Sequence, residues 1–163
     1  MLNFKEKCFS MSKRIFTLCL SILLFLPVNT VLAASETGAK TDPPPIEIGI
    51  MGVFDPNHIY LNDGYTYINN LGDGQIVVNG RTTGKRYVDL LGVKITLQRW
   101  TGTAWINIYT SPSYTDSNTI LLEVNIYRTV EKGYYYRVIS THWAEHGTVF
   151  EQGVQTGNSY LVN

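Results

Sequence analysis

The chain contains only two cysteines, Cys8 and Cys19, and both fall near its beginning. Once that beginning is removed no thiol remains. A disulfide framework, a thiolate nucleophile and a cysteine metal site are then all excluded, and stability rests on packing. Basic residues are scarce as well: 13 Lys and Arg against 13 Asp and Glu in 163 residues. Lys5, Lys7, Lys13 and Arg14, with Glu6, precede residue 34. The remainder therefore carries 13 − 4 = 9 basic and 13 − 1 = 12 acidic residues, a net charge of −3. Such a balance argues against nucleic acid or an anionic membrane as the partner, because both require clustered Lys and Arg. No stretch beyond residue 33 shows an apolar helix period with caps, which excludes helical bundles and parallel α/β folds. There is no Gly-x-Ser-x-Gly elbow for a serine nucleophile. Asp55-x-Asn57 and Asp73 lack the regular oxygen spacing of a calcium loop, and Gly72-x-Gly74 opens no helix that would cradle phosphate. The sequence implies no cofactor.

What is present begins with a targeting pattern. A basic start at Lys5 to Arg14 leads into an apolar centre from Ile15 to Val28, then a small-residue site at Val31-Leu32-Ala33 before Ala34. That order reads as a secretory signal peptide over residues 1–33, cut after Ala33. The apolar stretch is shorter than the ~20 residues of a spanning helix and is interrupted by Pro27 and Asn29, so no membrane anchor is expected. The remaining 163 − 33 = 130 residues suffice for one domain with a core. With no apolar C-terminal tail and no sortase-type ending, the expected destination is the extracellular medium. Residues 34–45, ending in Pro43-Pro44-Pro45, read as an extended, solvated linker. The domain is expected over 46–163.

The organising stretch is Glu131 to Trp143, the longest run of aromatic and β-branched residues, launched by the turn signal Lys132-Gly133. Alternation puts Tyr134, Tyr136, Val138, Ser140 and His142 on one face and Tyr135, Arg137, Ile139, Thr141 and Trp143 on the other. Val93 to Trp100 alternates cleanly, Thr101 to Ala104 turns, and Trp105 to Tyr109 returns. Ile120 to Val130 alternates again. Ser111 to Asn118 reads as a polar loop, Ala144 to Asn158 as a polar stretch, and Ser159 to Val162 as a short last strand. Asn62-Asp63-Gly64 reads as a hairpin turn between His58–Leu61 and Tyr65–Asn70. Asn79-Gly80 fits either a tight turn or a bulge within one longer strand. Ile46 to Phe54 is a weak strand broken by glycines. Short strands punctuated by turns, without helices between them, predict an all-β domain, and their order fits an immunoglobulin-like or fibronectin-III-like β-sandwich. Trp100 or Trp105 would fill its core, and Tyr134 or Tyr136 would place a hydroxyl on backbone at its edge.

Two blocks carry a resemblance: Leu97-Gln98-Arg99-Trp100-Thr101-Gly102-Thr103-Ala104-Trp105, and Lys132-Gly133-Tyr134-Tyr135-Tyr136-Arg137-Val138 with His142 downstream. Through these LQxWxGxxW and KGYYYRV patterns the chain resembles an uncharacterised family of small secreted proteins of Gram-positive bacteria, from about Gly74 to its end. The resemblance implies export and a β fold. It transfers no activity, catalytic residue or ligand.

Two sets of residues are candidates for chemistry. His142-Trp143-Ala144-Glu145-His146 matches the His-x-x-Glu-His pattern of zinc peptidases, in which a helix turns both histidines toward one ion. In an extended strand the two would stand roughly 13 Å apart, at ~3.3 Å per residue, too far to share a metal. Ligation by His142, Glu145 and His146 thus requires the segment to curl, with Glu151 or His58 as a further donor. The plainer reading is a histidine that hydrogen-bonds a loop. The second set is aromatic. Eleven Tyr and three Trp all lie beyond residue 33, more than a core of this size needs. Tyr65, Tyr67, Tyr114 and above all Trp105, Tyr109, Tyr135 and Trp143 are candidates for an exposed patch that stacks on a sugar or a partner protein. Packing of the same rings within the sandwich is the competing account. Together these features point to a secreted, non-enzymatic binding module for a cell-wall glycan or a protein, with a zinc hydrolase as the alternative.

Overall fold

The computed structural model describes residues 38–46 and 54–163. The expected signal peptide over 1–33 and the interior of the expected weak strand at 46–54 lie outside them. Strand accounts for 71% of the structure and no helix occurs among the described residues, which establishes the all-β class. The strands are β1 (Leu61–Gly72), β2 (Gln75–Trp100), β3 (Trp105–Thr110), β4 (Tyr114–Thr129), β5 (Tyr134–His146), β6 (Val149–Thr156) and β7 (Tyr160–Val162). All pair antiparallel in one sheet of order β1-β2-β5-β6, with β3 and β4 also on β2 and β7 on β5.

The 26-residue β2 is the spine of this sheet. Its first half pairs with β1 from Gln75 to Gly84, and its second half with β5 from Leu90 to Arg99. Its other side carries β4 and then β3. Between the halves Gly84 to Tyr87, four residues, stand opposite the single residue Ile120 of β4. Three residues in excess is an odd number, so the inward parity switches. Ile76, Val78 and Thr82 face inward before the irregularity, and Leu91, Val93, Ile95 and Leu97 after it, all essentially inaccessible to solvent. The strand bends there and brings its own halves face to face. Gly80 lies against Ile95, and the Thr82 hydroxyl donates to the Gly92 carbonyl at 3.2 Å.

The sheet is thereby curled into a half-barrel. One continuous sheet supplies both walls of the core where the sequence predicts two separate immunoglobulin-like sheets. Leu61, Ile76 and Val78 meet Leu97, Tyr136, Val138 and Val162 across the interior. Each such buried side chain contributes roughly 1.5–3 kcal/mol relative to exposure. Tyr136 donates its hydroxyl to the Glu131 carbonyl at 2.7 Å, the edge contact expected of it.

Several boundaries differ from expectation, each for a physical reason. Asn62-Asp63-Gly64 is no turn: β1 runs through it with a bulge, and the hairpin turn lies at Asp73-Gly74, both at positive φ. Of the two readings open for Asn79-Gly80, the one longer strand holds: both lie inside β2, with no shift of register there. Residues 114–118, read as loop, open β4, and most of the polar stretch from Ala144 to Asn158 is strand. In β6 the usual alternation is inverted. Glu151 and Gln155 point inward while Phe150 and Val154 are 57% and 61% exposed, which hides the strand from a reading that puts apolar residues inside.

Glu151 explains the inversion. Its carboxylate accepts backbone N–H groups from Ile59 at 2.6 Å, Tyr60 at 2.8 Å and Leu61 at 2.7 Å, clasping the entry of β1 to β6 where no ladder joins them. Burial pushes the carboxyl up, but the three donors together outweigh it and hold the group below its ordinary range. A carboxyl lowered on folding contributes stability above its unfolded value near 4.5, and this is lost as pH falls through the lower folded value. Glu151→Gln is expected to cost about 2 kcal/mol in urea unfolding at neutral pH, the scale of a hydrogen bond to a charged group. The same substitution should flatten the loss of stability below pH 4.5.

Candidate functional site

The two sequence blocks converge at one end of the half-barrel. The first spans the end of β2, its turn and the start of β3, where Trp100 pairs with Trp105; the second opens β5, where Arg137 pairs with Gln98 and Tyr136 with Arg99. The β2–β3 turn is closed by Thr101, whose N–H donates to the Ala104 carbonyl at 2.9 Å. On the outer face Arg137 Nε donates to Gln98 Oε1 at 2.8 Å, and Gln98 Nε2 to Asn107 Oδ1 at 2.7 Å, one polar chain across β5, β2 and β3. The Arg137 guanidinium lies 4.3 Å from the centre of the Trp105 ring, and Trp105 is tilted at 53° to Trp100 with centroids 5.2 Å apart. A cation over an indole is a favourable pairing that also fixes the ring.

Trp100, not Trp105, is the buried indole of this pair, 7% exposed, and what covers it is the predicted linker. Residues 38–46 have no regular secondary structure, yet they are seated on the sheet. Lys40 N–H donates to the Gly133 carbonyl at 2.6 Å, and the Trp100 indole N–H to the Asp42 carbonyl at 3.1 Å. Lys40 Nζ also meets Glu131 at 2.6 Å, with Arg99 on the other carboxylate oxygen at 3.0 Å. The hydrogen bond from Lys40, aided by the Arg99 charge, holds the Glu131 carboxyl below its usual range. The Lys40–Glu131 pair is about half exposed and so adds little stability of its own. Between this strap and the sheet lies a cleft of about 310 Å³, walled by Pro43, Pro44, Pro45 and Ile46 on one side and by Trp105, Tyr135, Arg137 and residues 156–159 on the other.

Of the four aromatic candidates, Trp105 and Tyr135 therefore share the cleft and the other two do not. Tyr109 turns inward and packs on the core. Simple alternation would keep it on the Trp105 face, but the bulge at Leu97/Gln98 places Tyr109 opposite Leu97 and Asn107 opposite Gln98, which shifts the parity. It lies beneath Arg128, 3.8 Å from the ring centre, and beside Tyr114, whose hydroxyl burial pushes up. Trp143 is on the outer face but eight residues from Tyr135, about 26 Å along the strand at ~3.3 Å per residue. Its indole lies over Gly92, where a Cβ would come within 1.9 Å of the ring; only glycine permits that approach. Tyr65 and Tyr67 stack at 5.9 Å on β1 and line a separate cleft with Tyr160. Sequence alternation finds Trp105, Tyr135 and Trp143, but it cannot foresee the strap that makes a cleft of the first two.

The His-x-x-Glu-His segment stays extended, as the end of β5. His142 points inward and is wholly buried, Glu145 is exposed on the opposite face, and His146 stands 3.1 Å from Asp89 at the surface. The three are not brought together. Among the described residues no group of three His, Asp or Glu side chains is placed to hold a metal ion. Both His142 nitrogens are occupied: Nδ1 is 2.7 Å from Thr82 Oγ1 and Nε2 is 2.6 Å from Ser140 Oγ. Thr82 gives its one hydroxyl proton to Gly92, so the imidazole proton sits on Nδ1 and Ser140 donates to Nε2. Ser140 and His142 have the contacts of a nucleophile and its base, but at 1% and 0% exposure no substrate reaches them.

No family model, curated protein or solved structure matches this chain.

Burial lowers the His142 pKa from 6.5 to about 4. The unfolded chain thus binds the extra proton first as pH falls. The stability held by neutral His142 is intact above pH 6.5 and is lost progressively down to about pH 4, by roughly 3 kcal/mol for a shift of this size. Urea unfolding from pH 7.5 to 4 should show this slope, and His142→Asn should remove it while lowering stability at pH 7.5. Equimolar zinc is expected to leave the thermal midpoint unchanged.

Proposed function

We propose that this chain is an exported, non-enzymatic binding module, a member of the small secreted family of Gram-positive bacteria that its two blocks resemble. It works outside the cell after loss of residues 1–33, on a β scaffold used as an immunoglobulin-like or fibronectin-III-like sandwich is used, as a rigid platform. Its ligand is a cell-wall glycan or an extracellular protein. The observation that carries this reading is the meeting of both blocks at one cleft, where Trp105 and Tyr135 stand half-exposed beside Arg137. Half-exposed aromatic rings fixed by a rigid sheet bind at small entropic cost. The zinc-hydrolase alternative draws no support from His142, whose nitrogens are both engaged in the interior.

A glycan array and a pull-down from a Gram-positive cell envelope test the proposal. Trp105→Ala and Tyr135→Ala should each reduce retention at least tenfold with an unchanged circular dichroism spectrum. Trp143→Ala, far from the cleft, should leave retention intact. Equal retention by all three variants would move the site elsewhere, and retention of nothing would end the reading.

A further inference from the structure

The strap over Trp100 shows what kind of chain this surface accepts. Proline fixes φ near −65° and lacks an N–H, so Pro43-Pro44-Pro45 is stiff and extended, and only its carbonyls can make hydrogen bonds. Grooves that read such segments offer aromatic rings for the prolines and donors for the carbonyls. Both are present here. The Trp100 indole N–H donates to the carbonyl of Asp42, the residue just before Pro43, and the three prolines border the cleft that holds Trp105 and Tyr135. Trp105 repeats the device one ring further along. It is 5.2 Å from Trp100, and its indole N–H is buried with no acceptor among the described residues.

We propose that the cleft recognises a proline-rich, extended polypeptide, and that residues 38–46 occupy part of the site in cis until such a segment from a partner protein displaces them. This rests on the binding-module reading and chooses protein over glycan. A sugar stacks on an open ring face, and one face of Trp105 is already covered by Arg137 at 4.3 Å. A buried indole N–H instead suits a carbonyl acceptor. The outer side of the strap faces solvent: Pro43 and Pro45 are exposed, Ile46 is 95% exposed, and its ion pair to Glu131 is about half exposed. An occupant in cis lowers the apparent affinity for a competitor in proportion to the time it holds the site.

The test is a titration, followed by indole fluorescence and calorimetry, of a synthetic peptide with the sequence of residues 38–46 into two forms of the mature chain. One is the natural form; the other carries Pro43→Ala, Pro44→Ala and Pro45→Ala, which lie outside every ladder and leave the sheet to fold. Saturable binding is expected, at least tenfold tighter to the substituted form than to the natural one. It should be lost when the peptide's prolines are replaced by alanine or when Trp105→Ala is added. Trp100→Phe, which deletes only the indole donor, should weaken binding without altering the circular dichroism spectrum. Equal binding of the proline and alanine peptides, or binding of neither, overturns the inference. If neither binds while a glycan is retained through Trp105, the proline inference falls and the binding-module reading stands. If nothing of any class depends on Trp105, both fall.

Discussion

The fold closes on one buried imidazole. His142 belongs to β5, in the second half of the sheet; Thr82, on its Nδ1, belongs to the first half of β2, and Gly64 of β1 covers the ring so closely that a Cβ there would lie 2.5 Å from it. Phe54 packs against the same ring at 5.7 Å. A single side chain thus ties both walls of the half-barrel together through directional bonds, where the surrounding Val, Ile and Leu contribute only non-directional burial. Such a group is stabilising only while every polar atom is satisfied, because an unpaired one at this depth costs its full desolvation. The chain Ser140 to His142 to Thr82 to Gly92 meets that condition with no donor left over. With no cysteine in the described domain, it does what a disulfide between the walls would otherwise do.

Around that pin the bend of β2 determines where everything else falls. The three excess residues at Gly84 to Tyr87 switch the inward parity and turn the strand back on itself, so β1 and β5 lie along the same side of β2 yet face each other. Glu151 then joins the edges that the ladder leaves apart. The far end of β2 is left to carry Trp100, its turn and Trp105, with Tyr135 and Arg137 beside them on β5. The strap of residues 38–46 is laid over this end, with the Trp100 indole N–H on the Asp42 carbonyl.

Much of this is legible in the residues, and the illegible parts share a cause. The strands at Val93–Trp100, Ile120–Val130 and Glu131–Trp143 announce themselves because each has one wet and one dry face. The strand at Val149–Thr156 does not, since its inward positions hold Glu151 and Gln155, whose roles are hydrogen bonds made far away in sequence. Asn62-Asp63-Gly64 looks like a turn because glycine usually means positive φ; here it means a ring packed against the backbone. Tyr109 follows the alternation of Trp105 until one bulge reverses it. The zinc-like spacing at His142 to His146 is misleading for a related reason: on a strand, Glu145 takes the face opposite to both histidines. Prolines 43 to 45 identify an extended segment but give no sign that Trp100 holds it. Periodicity reports local burial, and each of these features depends on a partner distant in the chain.

The most direct measurement of the central claim is the state of the His142 ring, read from long-range nitrogen–proton correlation spectra across a pH titration. A buried imidazole pinned between Ser140 and Thr82 stays neutral with its proton on Nδ1 down to mildly acidic pH and titrates at about 4. A His142 resonance that titrates at or above its ordinary value of 6.5, or that exchanges between tautomers at neutral pH, would show the ring open to water and contradict the account.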